Sequence, residues 1–127
     1  MKVLVVDDNV DAALTLSMLI EMVGHEVRTA FDGLEALDVA ARFLPEAVLL
    51  DLGMPRMDGL QACRRLRAEP WGAPMAVIAV TGWGNEADRL NTLEAGFDQH
   101  LVKPVEPDII LALLERLASG AHPRARD

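Results

Sequence analysis

Apolar residues fall along this chain in short blocks. Five runs, at residues 3–6, 26–30, 47–50, 75–80 and 100–102, stand out. Most are rich in Val, Ile and Leu and are bounded by Asp, Gly or Pro, as buried strands are. The second and fifth are mixed, which suits the edges of a sheet. Between the runs, apolar residues recur at three- and four-residue spacing. This predicts helices over 11–23, 32–43, 59–68, 85–95 and 106–118. Gly24 and Gly96 close the first and fourth. The stretch "DGLE" at 32–35 has the Asp-x-x-Glu spacing of a capping box. Strand and helix alternate five times, so a mostly parallel sheet with helices on both faces is expected. The predicted class is α/β, doubly wound and flavodoxin-like, with strand order 2-1-3-4-5 and the most apolar runs central. Residues 1–119 are expected to form one domain. Residues 120–127 lack periodicity and are expected to be a disordered tail.

The first helix carries two apolar rows. Ala12, Leu16, Leu19, Ile20 and Val23 share a face and are expected to pack on the sheet. Leu14, Met18 and Met22 recur at i, i+4 and i+8 on another face. A surface helix needs one apolar face, so Leu14 and Met18 are candidate docking residues. The plainer reading is a few exposed apolar side chains.

Composition narrows the function. Of 127 residues, 20 are acidic and 12 basic, a net charge of −8 with one cysteine. An acidic chain has no face for a phosphate backbone, so direct nucleic-acid binding is not expected. No apolar run is long enough to span a membrane, and "MKVLVVDDNV" is no signal peptide. A cytoplasmic protein without an internal disulfide is expected.

The remaining signal lies where the apolar runs end. In open α/β sheets, ligands gather outside the carboxyl ends of the strands, at the point where strand order reverses. Asp7 and Asp8 follow the first run, Asp51 the third, Thr81 the fourth and Lys103 the fifth. Singly, each has a structural reading: Asp7 and Asp8 as helix caps, Asp51 as a turn residue, Thr81 and Lys103 as loop residues. Jointly they bring three carboxylates, a hydroxyl and an ammonium to one rim. Three carboxylates repel one another unless a cation intervenes, and Mg²⁺ suits oxygen ligands completed by water and phosphate. Asp51, central on the rim, is the best-placed nucleophile and would form an aspartyl phosphate. Lys103 and Thr81 would stabilise the phosphoryl oxygens.

The pieces "VLVVDDN", "LLDLGMPRMDG", "AVTGWG" and "HLVKP", in this order and spacing, resemble the receiver domain of two-component response regulators. The resemblance covers residues 2 to 118. It implies a signalling switch that takes a phosphoryl group from a histidine kinase or phosphotransfer protein onto Asp51. It implies Mg²⁺ held by Asp8, Asp51 and the backbone carbonyl of Gly53, with Asp7 acting through a metal-bound water. It further implies that Gly82 leaves room for the phosphate and that a cis peptide precedes Pro104. His100 stands where the family often carries Tyr or Phe as a rotameric switch. Trp83 is bulky for a position that tunes phosphate lifetime, and Trp71 is expected at the opposite end of the sheet. The family's donor docks on the first helix, which agrees with the Leu14 and Met18 row. A monomer or a phosphorylation-dependent homodimer is expected.

Two other classes fit less well. A phosphatase with an aspartyl-phosphate intermediate would want an acid two residues after the nucleophile, where Gly53 stands. A flavodoxin-like ligand-binding domain would want a phosphate-cradling loop where Asp7 and Asp8 stand. The expected activity is therefore confined to the chain's own phosphorylation and dephosphorylation.

Overall fold

A run of Val, Ile and Leu too short for a stable helix satisfies its backbone by pairing with its neighbours. The computed structural model describes residues 1–54, 57–82 and 86–120, with the backbone alone for 86–90. The elements are β1 (Lys2–Val6), α1 (Val10–Met22), β2 (Glu26–Ala30), α2 (Gly33–Phe43), β3 (Ala47–Asp51), α3 (Gly59–Ala68), β4 (Ala76–Thr81), α4 (Glu86–Ala95), β5 (Gln99–Val102) and α5 (Pro107–Ala118). All pairings are parallel, and the sheet order is β2-β1-β3-β4-β5, as the alternation predicts. The expectations for Trp83, for residue 85 as the start of the fourth helix and for a disordered tail at 121–127 lie outside the described residues.

Side chains of a strand alternate between faces, so the sheet builds two cores. Leu4, Val48, Leu50 and Val77 meet Ala62 and Leu66 of α3 on one face. Val3, Val5, Leu49 and Ile78 meet Ile20 of α1 and Leu114 of α5 on the other. β1 and β3 are buried from Val3 to Val6 and from Ala47 to Leu50, as two-sided cover requires. β5 carries little of this cover. Its residues are half-buried or exposed.

The phase of α1 differs from expectation. Ala13, Ser17 and Ile20 are its buried residues; Leu16 and Leu19 are half-buried, and Ala12 and Val23 are exposed. Apolar residues occur on several sides of this helix, so hydrophobicity alone did not select the inner face. Close approach to the sheet did: the small Ala13 and Ser17 sit where larger side chains would hold the helix away. The second row is exposed, and Val10 extends it: Val10, Leu14, Met18 and Met22 are 46%, 46%, 63% and 79% exposed.

The cap of α2 also differs in detail. Asp32 accepts from the Glu35 amide at 2.8 Å, but the Glu35 carboxylate takes the Phe31 amide at 2.6 Å, one residue before its expected partner. A complete capping box occurs at α3, where Asp58 and Gln61 exchange both bonds.

At the amino ends of β4 and β5, Arg67 of α3 reaches across the chain. Its Nε donates to the Gly96 carbonyl at 2.9 Å. Its Nη1 donates to the carbonyls of Gly72, Ala73 and Met75 at 3.1, 3.1 and 2.6 Å. Its Nη2 donates to Asp98 Oδ2 at 2.8 Å. The same Asp98 oxygen accepts from the Val77 amide at 2.8 Å. The Asp98 side chain is wholly buried. A buried carboxylate is tolerable there because a guanidinium and a backbone donor both meet it. Gly96 adopts φ +105°, a region open to glycine, and ends α4 beneath this contact.

Candidate functional site

The carboxyl ends of the strands form one rim. β1 runs into Asp7, whose Oδ1 accepts from the Asn9 amide at 2.9 Å. Asn9 then caps α1, its Oδ1 accepting from the Ala12 amide at 3.1 Å. Asp11, not Asp7 or Asp8, is the acidic residue in the first turn. The capping reading thus belongs to Asn9 and leaves Asp7 and Asp8 to the rim.

β3 ends in Asp51, one residue beyond the apolar run, opposite Val80 of β4. Asp51 is buried, and its Oδ1 accepts from the Gly53 amide at 3.2 Å. The chain then turns sharply. The Gly59 amide donates to the Leu52 carbonyl at 3.1 Å. A Cβ on Gly59 would lie 2.5 Å from the Asp51 carbonyl oxygen, so only glycine lets α3 begin this close to the strand end.

The carboxylates of Asp7, Asp8 and Asp51 each place an oxygen within 4.8 Å of the others. Lys103 Nζ stands 3.4 Å from Asp51 Oδ2 and 3.7 Å from Asp7 Oδ2. Burial pushes the Asp7 carboxyl above its ordinary value of 3.8. The Asn9 amide and the Lys103 ammonium pull it back down, and neighbouring Asp51 pushes it up again. One ammonium thus faces two of three clustered carboxylates, a donor set of hard oxygens in charge excess. That set is compatible with a divalent cation.

Thr81 ends β4 one residue beyond the register partner of Asp51, and it is 1% exposed. Its carbonyl accepts from the Lys103 amide at 2.7 Å, tying β4 to the loop after β5. The Lys103–Pro104 peptide is cis, as the resemblance implies. Among the described residues, a Cβ on Gly82 would meet no atom within 4 Å. Gly53 is exposed beside Asp51. His100 of β5 does not stand alone: its Nδ1 lies 3.2 Å from Thr92 Oγ1 of α4. Leu14 and Met18 lie on α1 outside the rim. A cleft of about 480 Å³ runs from the rim along another face of α1, lined by Asp7, Asn9, Thr15, Leu16, Lys103 and Pro107 among others but not by Leu14 or Met18.

Sequence reasoning missed Arg67 and Asp98. Nothing in the sequence singled them out: Asp98 stands two residues before an apolar run, and Glu46 stands directly before another.

Comparison with known proteins agrees with this geometry. The response regulator receiver domain family matches residues 3–115. A probable transcriptional regulator, ycf27, of Cyanophora paradoxa is 40% identical over 116 residues, covering 91% of this chain and 47% of the relative. Response regulator MprA of Mycobacterium avium is 37% identical over 123 residues, covering 97% and 53%. The chain therefore spans about half the length of these curated relatives. The chemotaxis protein CheY4 of Vibrio cholerae superimposes with a TM-score of 0.86 at 30% identity, covering 91% of this chain and 96% of that one.

Proposed function

The chain belongs to the response-regulator receiver-domain family, and on that premise we propose that Asp51 is its phosphoryl acceptor. The observation that carries this is a buried carboxylate at a strand end, within 4.8 Å of two further acids and 3.4 Å from an ammonium. A carboxylate buried there for stability alone would have a saturated partner set. Asp51 instead has one backbone donor on Oδ1 and, on Oδ2, a distant ammonium that it shares with Asp7.

The acidic rim fits Mg²⁺. Asp8 and Asp51 would ligate it directly with the Gly53 carbonyl, and Asp7 would act through a bound water. When bound, the ion neutralises charge on the transferring phosphoryl oxygens. The remaining work belongs to the chain. Asp51 attacks phosphorus in line, the P–O or P–N bond to the donor breaks, and the leaving group departs with its electron pair. Lys103 offers its ammonium, and Thr81 its hydroxyl, to oxygens of the transferred group. Gly82 keeps the approach open. His100 and Trp83 are proposed to tune the response.

The donor is a histidine kinase or a histidine phosphotransfer protein. Kinship with regulators of the CheY and MprA kind supports this. The exposed Val10, Leu14, Met18 and Met22 row is proposed as its docking surface. In support, the row is exposed along its length and begins at Val10, three residues after Asp7 of the rim. Among the described residues no helix is long and apolar enough to cross a membrane. Self-phosphorylation and self-dephosphorylation, not turnover of an external substrate, are the chemistry of this domain.

Incubation with acetyl phosphate and Mg²⁺ should add one phosphoryl group, located at Asp51 by mass spectrometry. Retention of that label in Asp51→Asn would remove the assignment.

A further inference from the structure

We infer that Arg67 and Asp98, at the far end of the sheet, are positioning residues for Lys103 and Thr81. This deepens the reading of Asp51 as a phosphoryl acceptor and depends on it. β5 is an edge strand of 4 residues, half-buried or exposed, and hydrogen-bonded on one side. A short strand with one neighbour and little buried surface has few forces to hold it at a set height along that neighbour. Yet β5 delivers Lys103, whose ammonium must sit within about an ångström of its place to be effective.

The described contacts hold β5 at both ends, with the His100–Thr92 contact to α4 between them. At its carboxyl end the Lys103 amide donates to the Thr81 carbonyl at 2.7 Å. At its amino end Asp98 closes a two-way bond with Val77. Its amide donates to the Val77 carbonyl at 2.8 Å, and its carboxylate accepts the Val77 amide at 2.8 Å. Arg67 locks that carboxylate and also holds the carbonyls of Met75, before β4, and Gly96, before β5. The guanidinium therefore sets the start of both strands against one body, α3. The register Ile78↔Gln99 through Thr81↔Val102 follows from that start. Lys103 and Thr81 are the last links of the same two strands. Asp7, Asp8 and Asp51 stand at the ends of β1 and β3, to which the clamp makes no described bond. The clamp should govern the phosphoryl-gripping pair and leave the metal-binding acids alone.

This separation supplies the test. Arg67→Lys keeps the charge and loses the fork. Asp98→Asn keeps the shape and loses the charge. Val27→Ala on β2, brought to the same melting temperature with a denaturant, controls for general loss of stability. Three quantities are read: the rate of Asp51 phosphorylation by acetyl phosphate at saturating Mg²⁺, Mg²⁺ affinity by calorimetry, and hydrogen exchange of the Lys103 amide. In the clamp variants phosphorylation should slow by about ten-fold or more. Lys103 exchange should quicken, and Mg²⁺ affinity should stay unchanged. The Val27→Ala control should keep its rate. An unchanged rate in both variants, a fall in Mg²⁺ affinity parallel to the rate, or an equal loss in the control would overturn the inference. If Asp98→Asn does not fold, Arg67→Lys carries the test, since Arg67 retains some exposure and a lysine can still reach one carbonyl. A parent chain that takes no phosphoryl group on Asp51 defeats the acceptor reading instead. The Lys103 exchange still reports whether the two ends are coupled.

Discussion

Arg67 and Lys103 face carboxylates at opposite ends of the same sheet, and the two sites are built on opposite terms. At the amino end, one guanidinium meets one buried carboxylate, and its other donors go to backbone carbonyls. The remaining oxygen valence of Asp98 Oδ2 goes to the Val77 amide. The contact ties three segments together. At the carboxyl end, one ammonium is shared between Asp7 and Asp51 at 3.7 and 3.4 Å, with Asp8 close by. Those distances are long for charge-assisted hydrogen bonds, and acids outnumber cations. Saturated polar contacts fix a geometry. Unsaturated ones leave a binding demand for an ion or a phosphoryl group.

The largest effect separating the two ends comes from removing one member of the ion pair at each. Asp98→Ala should lower unfolding free energy by about 3–5 kcal/mol, because it strands a buried guanidinium. Urea titration would measure it. Lys103→Ala on the rim should cost no more than about 1 kcal/mol, as for a partly exposed ion pair. Equal costs would mean the two ends are not built differently.

Mg²⁺ provides the next contrast. At about ten times its dissociation constant it should add about 1.4 kcal/mol of stability by linkage, seen as a rise in melting temperature. Asp8→Ala should abolish this gain, while Arg67→Lys should retain it. A gain that survives Asp8→Ala would place the ion elsewhere.

A smaller effect follows from Asp7. Its folded pKa is raised, chiefly by burial, so the folded state holds more protons than the unfolded state just above pH 3.8. Stability from this group is therefore present at low pH and lost as pH rises through its folded value. Without Mg²⁺, Asp7→Asn should be more stable than the parent at neutral pH. The gap should close as pH falls toward 3.8. A lower neutral-pH stability in Asp7→Asn would show that the ammonium outweighs burial.

The smallest change in stability belongs to the surface of α1. Leu14→Glu with Met18→Glu should leave unfolding within about 0.5 kcal/mol of the parent, as for exposed sites. Labelling by acetyl phosphate should persist, and transfer from a histidine kinase should slow. Unaltered kinase transfer would exclude this row as the docking surface.

How far the sequence reveals each end depends on the range of the interactions. The rim was legible because its members, Asp7, Asp8, Asp51, Thr81 and Lys103, each directly follow an apolar run. Parallel topology brings all such points to one side. The clamp was not legible. Arg67 reads as one more basic residue late in a helix, Asp98 as a turn acid, and 31 residues separate them. The inner face of α1 failed for another reason. Apolar residues occupy several sides of the helix, so its phase depended on the fit of Ala13 and Ser17 against the sheet. In α2, Glu35 turned to Phe31 because the strand arriving from β2 left that amide unpaired within reach.

Cys63 gives the fold a clock. It is the chain's one cysteine, it is fully buried on α3, and it is not in a disulfide. A thiol reagent in solution can reach it only when α3 lifts from the sheet or the whole molecule opens. When reclosing outpaces labelling, the reaction rate reports the population of that open form. No engineered probe is needed. If α3 opens as a separate unit, labelling will be faster than global unfolding allows. The ratio of the two rates would then measure how independently this layer breathes.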